Sequence, residues 1–327
     1  MTPAEFKAAG LRYYPDTEPG ISRLRRGRGF SYRAPDGTTI ADRKKRAEIE
    51  ALAVPPAYED VWISPYGDGH LQATGRDNRR RKQYMYHPDW TAYQSQRKFD
   101  SLPELAVALP RVRRWIGRCL SGAREAEDSA LAKCLALIER MSLRVGSPAY
   151  RDENGSHGVT TLENRHFVGL LGRPHLAFRA KGGTVFCLPV AGSALARALQ
   201  NRMGAPRDPL VKYRNKSNAP HAVRPEQVNE RLSALCNSDV TARQIRTWNG
   251  TLAAFRVAAR PGPVSITEMA EAAANVLGNT PSVARESYIH PDVIALSEKE
   301  TRPVTKPPQR YWRRGEKELL ELLNQRA

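Results

Sequence analysis

Residues 278–288 read Gly-Asn-Thr-Pro-Ser-Val-Ala-Arg-Glu-Ser-Tyr, the pattern of a helix stop followed by a helix start. Ahead of the stretch, Ser265-Ile-Thr-Glu268 offers a capping box, in which serine and glutamate side chains satisfy each other's orphan backbone amides. The Ala-rich run 269–277 continues that helix, and Gly278 suits the left-handed position just past its end. Pro281 has no N–H to leave unpaired, so it suits the first turn of the next helix. One tyrosine, Tyr288, lies near the end of that second helix, and Asn279 lies at the junction. Local pattern stops there, because an ordinary half-buried tyrosine would satisfy it equally well.

Composition narrows what these groups can serve. The chain has 327 residues, enough for two or three domains, with 40% hydrophobic and 26% charged residues, as in a soluble globular protein. No run approaches a membrane-spanning length, and Met-Thr-Pro-Ala-Glu-Phe-Lys at the start lacks a signal-peptide core. The expectation is a cytoplasmic, nucleoid-associated protein with no membrane contact. Cys119, Cys134, Cys187 and Cys236 form no Cys-x-x-Cys pair, and seven scattered histidines add no metal constellation, so neither zinc nor disulfides are expected. Lys and Arg number 52 against 34 Asp and Glu, a net charge of +18. That balance calls for a polyanion, and without a basic amphipathic anchor nucleic acid ranks above a membrane surface.

The chain reads as α+β. Residues 1–90 form a small β-rich domain: a basic loop Arg23-Leu-Arg-Arg-Gly-Arg-Gly29, short strands around Phe30-Ser-Tyr-Arg, a turn at Pro35-Asp-Gly37, and a helix over 42–52. Strands follow at Val61-Trp-Ile-Ser and Gly69-His-Leu-Gln-Ala-Thr. Then Arg79, Arg80, Arg81 and Lys82 run into Gln83, Tyr84 and Tyr86, cations for phosphates followed by groups able to reach base edges or sugars. Residues 91–300 read as a larger, mainly helical domain. Leu131, Cys134, Leu135, Ile138 and Met141 mark one face of a helix over 128–143, with Arg144 at its end. Three strands are expected at Val159-Thr-Thr-Leu, His175-Leu-Ala-Phe and Thr184-Val-Phe-Cys-Leu. Arg179-Ala-Lys-Gly-Gly183 joins the last two and holds Lys181 at a hairpin tip. Helices resume over 192–203 and 225–236, and Thr241-Ala-Arg-Gln244 caps another that carries Arg246. Residues 301–327 read as a Pro- and Lys-rich tail with a short amphipathic helix over 316–323, free to dock or to flex.

Arg144, Lys181, Arg246, Asn279 and Tyr288 make a coherent set for attack on a phosphodiester. The phenol would be the nucleophile, the two guanidiniums would hold the non-bridging oxygens, the amide would add a hydrogen bond, and the ammonium would protonate the leaving 5′ oxygen. A tyrosine ordinarily titrates at about 10, and no dedicated base stands out. No acidic cluster suits a two-metal nuclease and no phosphate-binding glycine loop suits ATP, so no cofactor is expected.

Five blocks carry a resemblance to the poxvirus-type DNA topoisomerases IB, in their bacterial branch. They are Gly75 to Tyr86; Ser142-Leu-Arg-Val-Gly-Ser with Gly158-Val-Thr-Thr-Leu; Phe178-Arg-Ala-Lys-Gly-Gly; Arg243-Gln-Ile-Arg-Thr-Trp; and Gly278 to Tyr288. The resemblance implies that Arg144, Lys181, Arg246 and Tyr288 are catalytic and that Asn279 stands where the family usually has histidine. It implies a 3′-phosphotyrosyl intermediate, strand swivelling and religation without ATP or an obligatory metal. It also implies a monomer, with no obligatory protein partner, whose two domains form a C-shaped clamp on double-stranded DNA.

Two alternatives compete. A tyrosine recombinase uses the same residue set, and His221-Ala-Val-Arg224 mimics its His-x-x-Arg, but Arg246 lies in the better-matched block and the β-rich first domain is unlike a recombinase arm. A non-enzymatic basic DNA-binding protein, with Tyr288 structural, is the other.

Overall fold

The computed structural model describes residues 3–325 apart from 28, 123–125, 203 and 216. It mixes helices with small sheets in two compact units, Met1–Arg97 and Lys98–Ala327. The division falls inside a helix, after Arg97 rather than near residue 90, and residues beyond 300 belong to the second unit.

In the first unit, helix α1 (Pro3–Ala8) precedes strands β1 (Ile21–Arg26), β2 (Gly29–Arg33), β3 (Glu59–Ile63), β4 (Leu71–Arg76) and β5 (Lys82–Tyr86). They form one antiparallel sheet in the order β2-β1-β3-β4-β5. Helix α2 (Arg43–Ala51) starts where expected, with the Asp42 carboxylate accepting from the amides of Lys44 and Lys45. Ile21, Tyr32, Ile49, Val61, Ile63 and Ala73 make the core. The basic stretch expected as a loop is mostly strand β1. Arg23 is partly withdrawn from solvent by hydrogen bonds to the carbonyls of Val54, Pro55 and Tyr58, at 2.8, 2.9 and 2.8 Å, and by stacking on Phe30. Arg28 lies outside the described residues. Helix α3 (Pro88–Asp100) contains the division between the units.

The second unit contains α4 (Leu102–Leu120), α5 (Glu127–Met141), α6 (Pro148–Asn154), α7 (Ser193–Gln200), α8 (Pro225–Cys236), α9 (Ala242–Ala258), α10 (Ile266–Leu277), α11 (Pro281–Tyr288), α12 (Pro291–Ile294) and α13 (Glu316–Asn324). A three-stranded antiparallel sheet, β6 (Phe167–Leu170), β7 (Arg173–Arg179) and β8 (Val185–Pro189), and a small hairpin, β9 (Lys212–Arg214) with β10 (Pro220–Ala222), complete it. Helix α9 is the axis of the unit, buried along nearly its whole length, as a helix wrapped on all sides must be. Met203, the expected end of α7, lies outside the described residues. Among the described residues, no helix is long and apolar enough to cross a membrane.

Val159-Thr-Thr, expected as a strand, is a buried 3₁₀ turn. Its amides are used elsewhere: Val159 donates to the Arg144 carbonyl at 2.9 Å and Thr160 to the Val145 carbonyl at 2.8 Å. Backbone docking of this kind overrides the β preference of a branched run. It needs glycine on both sides, because a Cβ on Gly158 would lie 2.5 Å from the Gly146 Cα.

Candidate active site

A cavity of about 540 Å³ in the second unit is lined by Arg144, Lys181, Arg246 and Tyr288, which come from four separate segments. Asn279, the fifth residue of the expected set, is outside the lining.

Tyr288 reaches the cavity through the helix junction read from the sequence. Gly278 ends α10 with φ 61° and ψ 53°, its amide returned to the Ala274 carbonyl at 2.8 Å, and Ser265 and Glu268 cap the start. A side chain at 278 would also collide with the Phe186 ring, 2.0 Å from a built Cβ. Thr280 caps α11 by accepting from the Val283 amide, with Pro281 in the first turn. The far end of α11 is docked on α9: the Thr251 hydroxyl donates to the Tyr288 carbonyl at 3.0 Å and accepts from the His290 amide at 3.2 Å. Lys98 donates to the Glu286 carbonyl at 3.0 Å in the last turn.

Arg246 lies on α9 and is only 4% exposed. It joins two helix C-termini, donating from Nη1 to the Ser142 carbonyl after α5 and from Nη2 to the Leu277 carbonyl of α10 at 3.1 Å. Its Cζ lies 5.5 Å from the Tyr288 ring centroid. Burial first, then the Arg144 charge, pulls this guanidinium down to about 10, partly opposed by Tyr288. It therefore stays charged near neutrality. Arg144 follows the left-handed Ser142 at the end of α5, and among the described residues its side chain has no hydrogen bond or ion pair. Lys181 is exposed in the β7–β8 turn, where Gly182 and Gly183 both take positive φ, with Nζ 5.2 Å from the Tyr150 ring centroid.

The lining is strongly cationic: Arg144, Lys181, Arg243 and Arg246 against the single carboxylate of Glu153. An anion with several oxygens is the natural occupant of such a space. Among the described residues, Nε of Arg246, Oγ of Ser156 and both amide atoms of Asn279 are buried without a hydrogen-bond partner.

Sequence reading did not assign Tyr150, Glu153, Ser156 or His157 to this wall. His157 donates its amide to the Arg179 carbonyl at 2.7 Å, and its Nδ1 lies 2.6 Å from the Thr161 carbonyl, which ties it to the Lys181 hairpin. The available signal was Gly158 beside it, whose partner Gly146 follows Arg144. His221 and Arg224 do not line the cavity; they lie on β10 and at the start of α8.

The other expected contact set belongs to the first unit. On β5, Lys82, Tyr84 and Tyr86 share the exposed face, the two rings stacked 6.2 Å apart, while Gln83 falls on the opposite face by strand alternation. Arg79 and Arg80 are exposed in the preceding turn. Asp77 organises that turn: it accepts from the amides of Arg79 and Arg81, from Arg81 Nε and from Gln83 Nε2, all between 2.9 and 3.0 Å. Those bonds, Arg81 foremost, hold its carboxyl at about 2. Lys82 pairs with Asp16 at 2.5 Å.

Residues 29–77 match the family described as bacterial DNA topoisomerase IB, N-terminal domain. Residues 87–273 match eukaryotic DNA topoisomerase I, catalytic core. The second match ends before Asn279 and Tyr288. A DNA topoisomerase 1B of Acanthamoeba polyphaga mimivirus is 23% identical over 237 residues, 71% of this chain and 70% of that protein. The catalytic-core match alone spans more than half of the chain, which therefore belongs to the DNA topoisomerase I family and is a type I DNA topoisomerase of the IB branch.

Proposed function

We propose that the enzyme relaxes supercoiled duplex DNA by transient cleavage of one strand, with Tyr288 as the nucleophile. The observation that carries this reading is the convergence of Tyr288, Arg144, Arg246 and Lys181 on one cationic cavity. The Tyr288 oxygen attacks the scissile phosphorus, the bond from phosphorus to the 5′ oxygen breaks, and a 3′-phosphotyrosyl link forms. The phenolic proton passes to solvent, and Lys181 supplies a proton to the departing 5′ oxygen. Arg144 stabilises the charge that gathers on the non-bridging oxygens. Arg246 joins it with Nε–H, which its two carbonyl bonds leave unused. Asn279 donates one further hydrogen bond. After the cut strand swivels, the 5′ hydroxyl attacks the phosphotyrosine and Tyr288 leaves. One phosphoester replaces another at each step, so no ATP is consumed.

The same reading gives the first unit the task of holding duplex DNA, with Arg79, Arg80, Arg81 and Lys82 on phosphates and Tyr84 and Tyr86 on sugars and base edges, while Gln83, on the opposite face of β5, holds the turn through Asp77. It includes a clamp made by the two units, action as a monomer, and work on chromosomal DNA in the cytoplasm. A DNA duplex with a nick placed so that the short fragment bearing the new 5′ hydroxyl is lost tests the chemistry. The expected product is a denaturation-resistant adduct whose nucleotide-bearing peptide contains Tyr288. An adduct on any other residue, or none with DNA bound, overturns the reading.

A further inference from the structure

We propose that Arg313, in the C-terminal segment, is a positioning residue for Arg246, acting through Asn249 and Ser142; the inference rests on the catalytic role proposed above. The chain of contacts is continuous. Arg313 Nη2 donates to the Glu139 carbonyl at 2.8 Å and to its carboxylate, and Nη1 donates to Asn249 Oδ1 at 3.3 Å. The Asn249 amide then donates to the Glu139 carbonyl at 3.0 Å and to Ser142 Oγ at 2.9 Å. Ser142 in turn offers its carbonyl to Arg246 Nη1. Asn249 lies three residues beyond Arg246 on α9, so both reach the same end of α5. Ser142 has φ 53°, a conformation that serine adopts only when its surroundings hold it. Its carbonyl direction, and with it the seat of the Arg246 guanidinium, depends on that hold.

The segment bearing Arg313 is anchored as a core element, not as a flexible tail. Glu316 is fully buried and accepts from Arg113 Nη1 and Nη2 at 2.6 Å each, from Trp248 Nε1 at 3.1 Å and from the Arg313 amide at 2.7 Å. Leu319 is fully buried and Leu323 nearly so, in the same core as α9. A segment that only added affinity for DNA would need neither a buried carboxylate nor a direct hydrogen-bonded path to α5 and α9.

The test is the rate of covalent adduct formation at saturating DNA, with DNA Kd and thermal melting measured beside it. Arg313→Met keeps Glu139 paired with Arg113. We expect its cleavage rate to fall at least tenfold with Kd within twofold. In an Arg246→Ala background the same substitution should cost less than twofold, because residues acting through one another do not add. A merely structural role would give losses that multiply. Multiplied losses, or Arg313→Met cleaving within twofold of the native enzyme, would overturn the inference. If Arg313→Met does not fold, Asn249→Ala breaks the same path and is judged by the same two comparisons. A native enzyme that forms no Tyr288 adduct would instead defeat the proposed function, and this inference with it.

Discussion

Gly250 on α9 is packed directly against the backbone of Tyr288. A Cβ built on Gly250 would lie 3.0 Å from the Tyr288 carbonyl oxygen, 3.1 Å from the Tyr288 Cβ and 2.8 Å from Leu277 Cδ1. Glycine in mid-helix costs stability relative to alanine, and here it gives the tyrosine a close seat beside Thr251. Gly250→Ala should therefore push the end of α11 outward by a few tenths of an ångström. Because misplacing a reacting group costs rate steeply, single-turnover cleavage should fall by roughly tenfold or more. Unchanged cleavage in a folded variant would show that the seat does not set the geometry.

Asn279 presents a neutral amide whose two polar atoms are buried without a partner among the described residues. If it donates to a phosphate oxygen, Asn279→Ala should slow cleavage by about tenfold, the order of one lost hydrogen bond to a charged group. Asn279→His should retain activity and gain a titration near the ordinary histidine value of about 6.5. An alanine variant as fast as the native enzyme would remove Asn279 from the site.

His166 gives the fold a pH signature. It accepts the Glu163 amide on Nδ1 at 2.9 Å and packs edge-on to His157 with centroids 4.4 Å apart. Burial first, then the His157 charge, pushes its ring down to about 4. The unfolded chain therefore binds this proton more readily than the folded one between about pH 6.5 and 4. Stability from this group is present above that window and is lost as pH falls through it, by about 3 kcal/mol. Urea unfolding from pH 7 to 4.5 should show the loss, and His166→Gln should flatten it; identical pH slopes would contradict the assignment.

The parts of the site visible in sequence obey short-range rules. Gly278, Thr280 and Pro281 announce a helix stop and start, and Gly182-Gly183 announces the turn that carries Lys181. The parts that were missed depend on long-range packing. Gly250 looks like any helical glycine until Tyr288 is laid beside it. Arg313 meets Glu139 across 174 positions of chain, so the C-terminal segment reads as a tail although it is part of the core. Val159-Thr-Thr has strand residues whose amides are claimed by Arg144 and Val145. Arg23 looks like a surface cation until three carbonyls converge on it.

Everything proposed for the cavity turns on Tyr288 carrying the strand break. Its most direct measurement is relaxation of negatively supercoiled plasmid in EDTA without ATP, comparing the native enzyme with Tyr288→Phe at matched DNA binding. The native enzyme should relax the plasmid and the phenylalanine variant should not. Relaxation by both proteins would contradict that role of Tyr288, and so would failure of the native enzyme to relax plasmid that it binds.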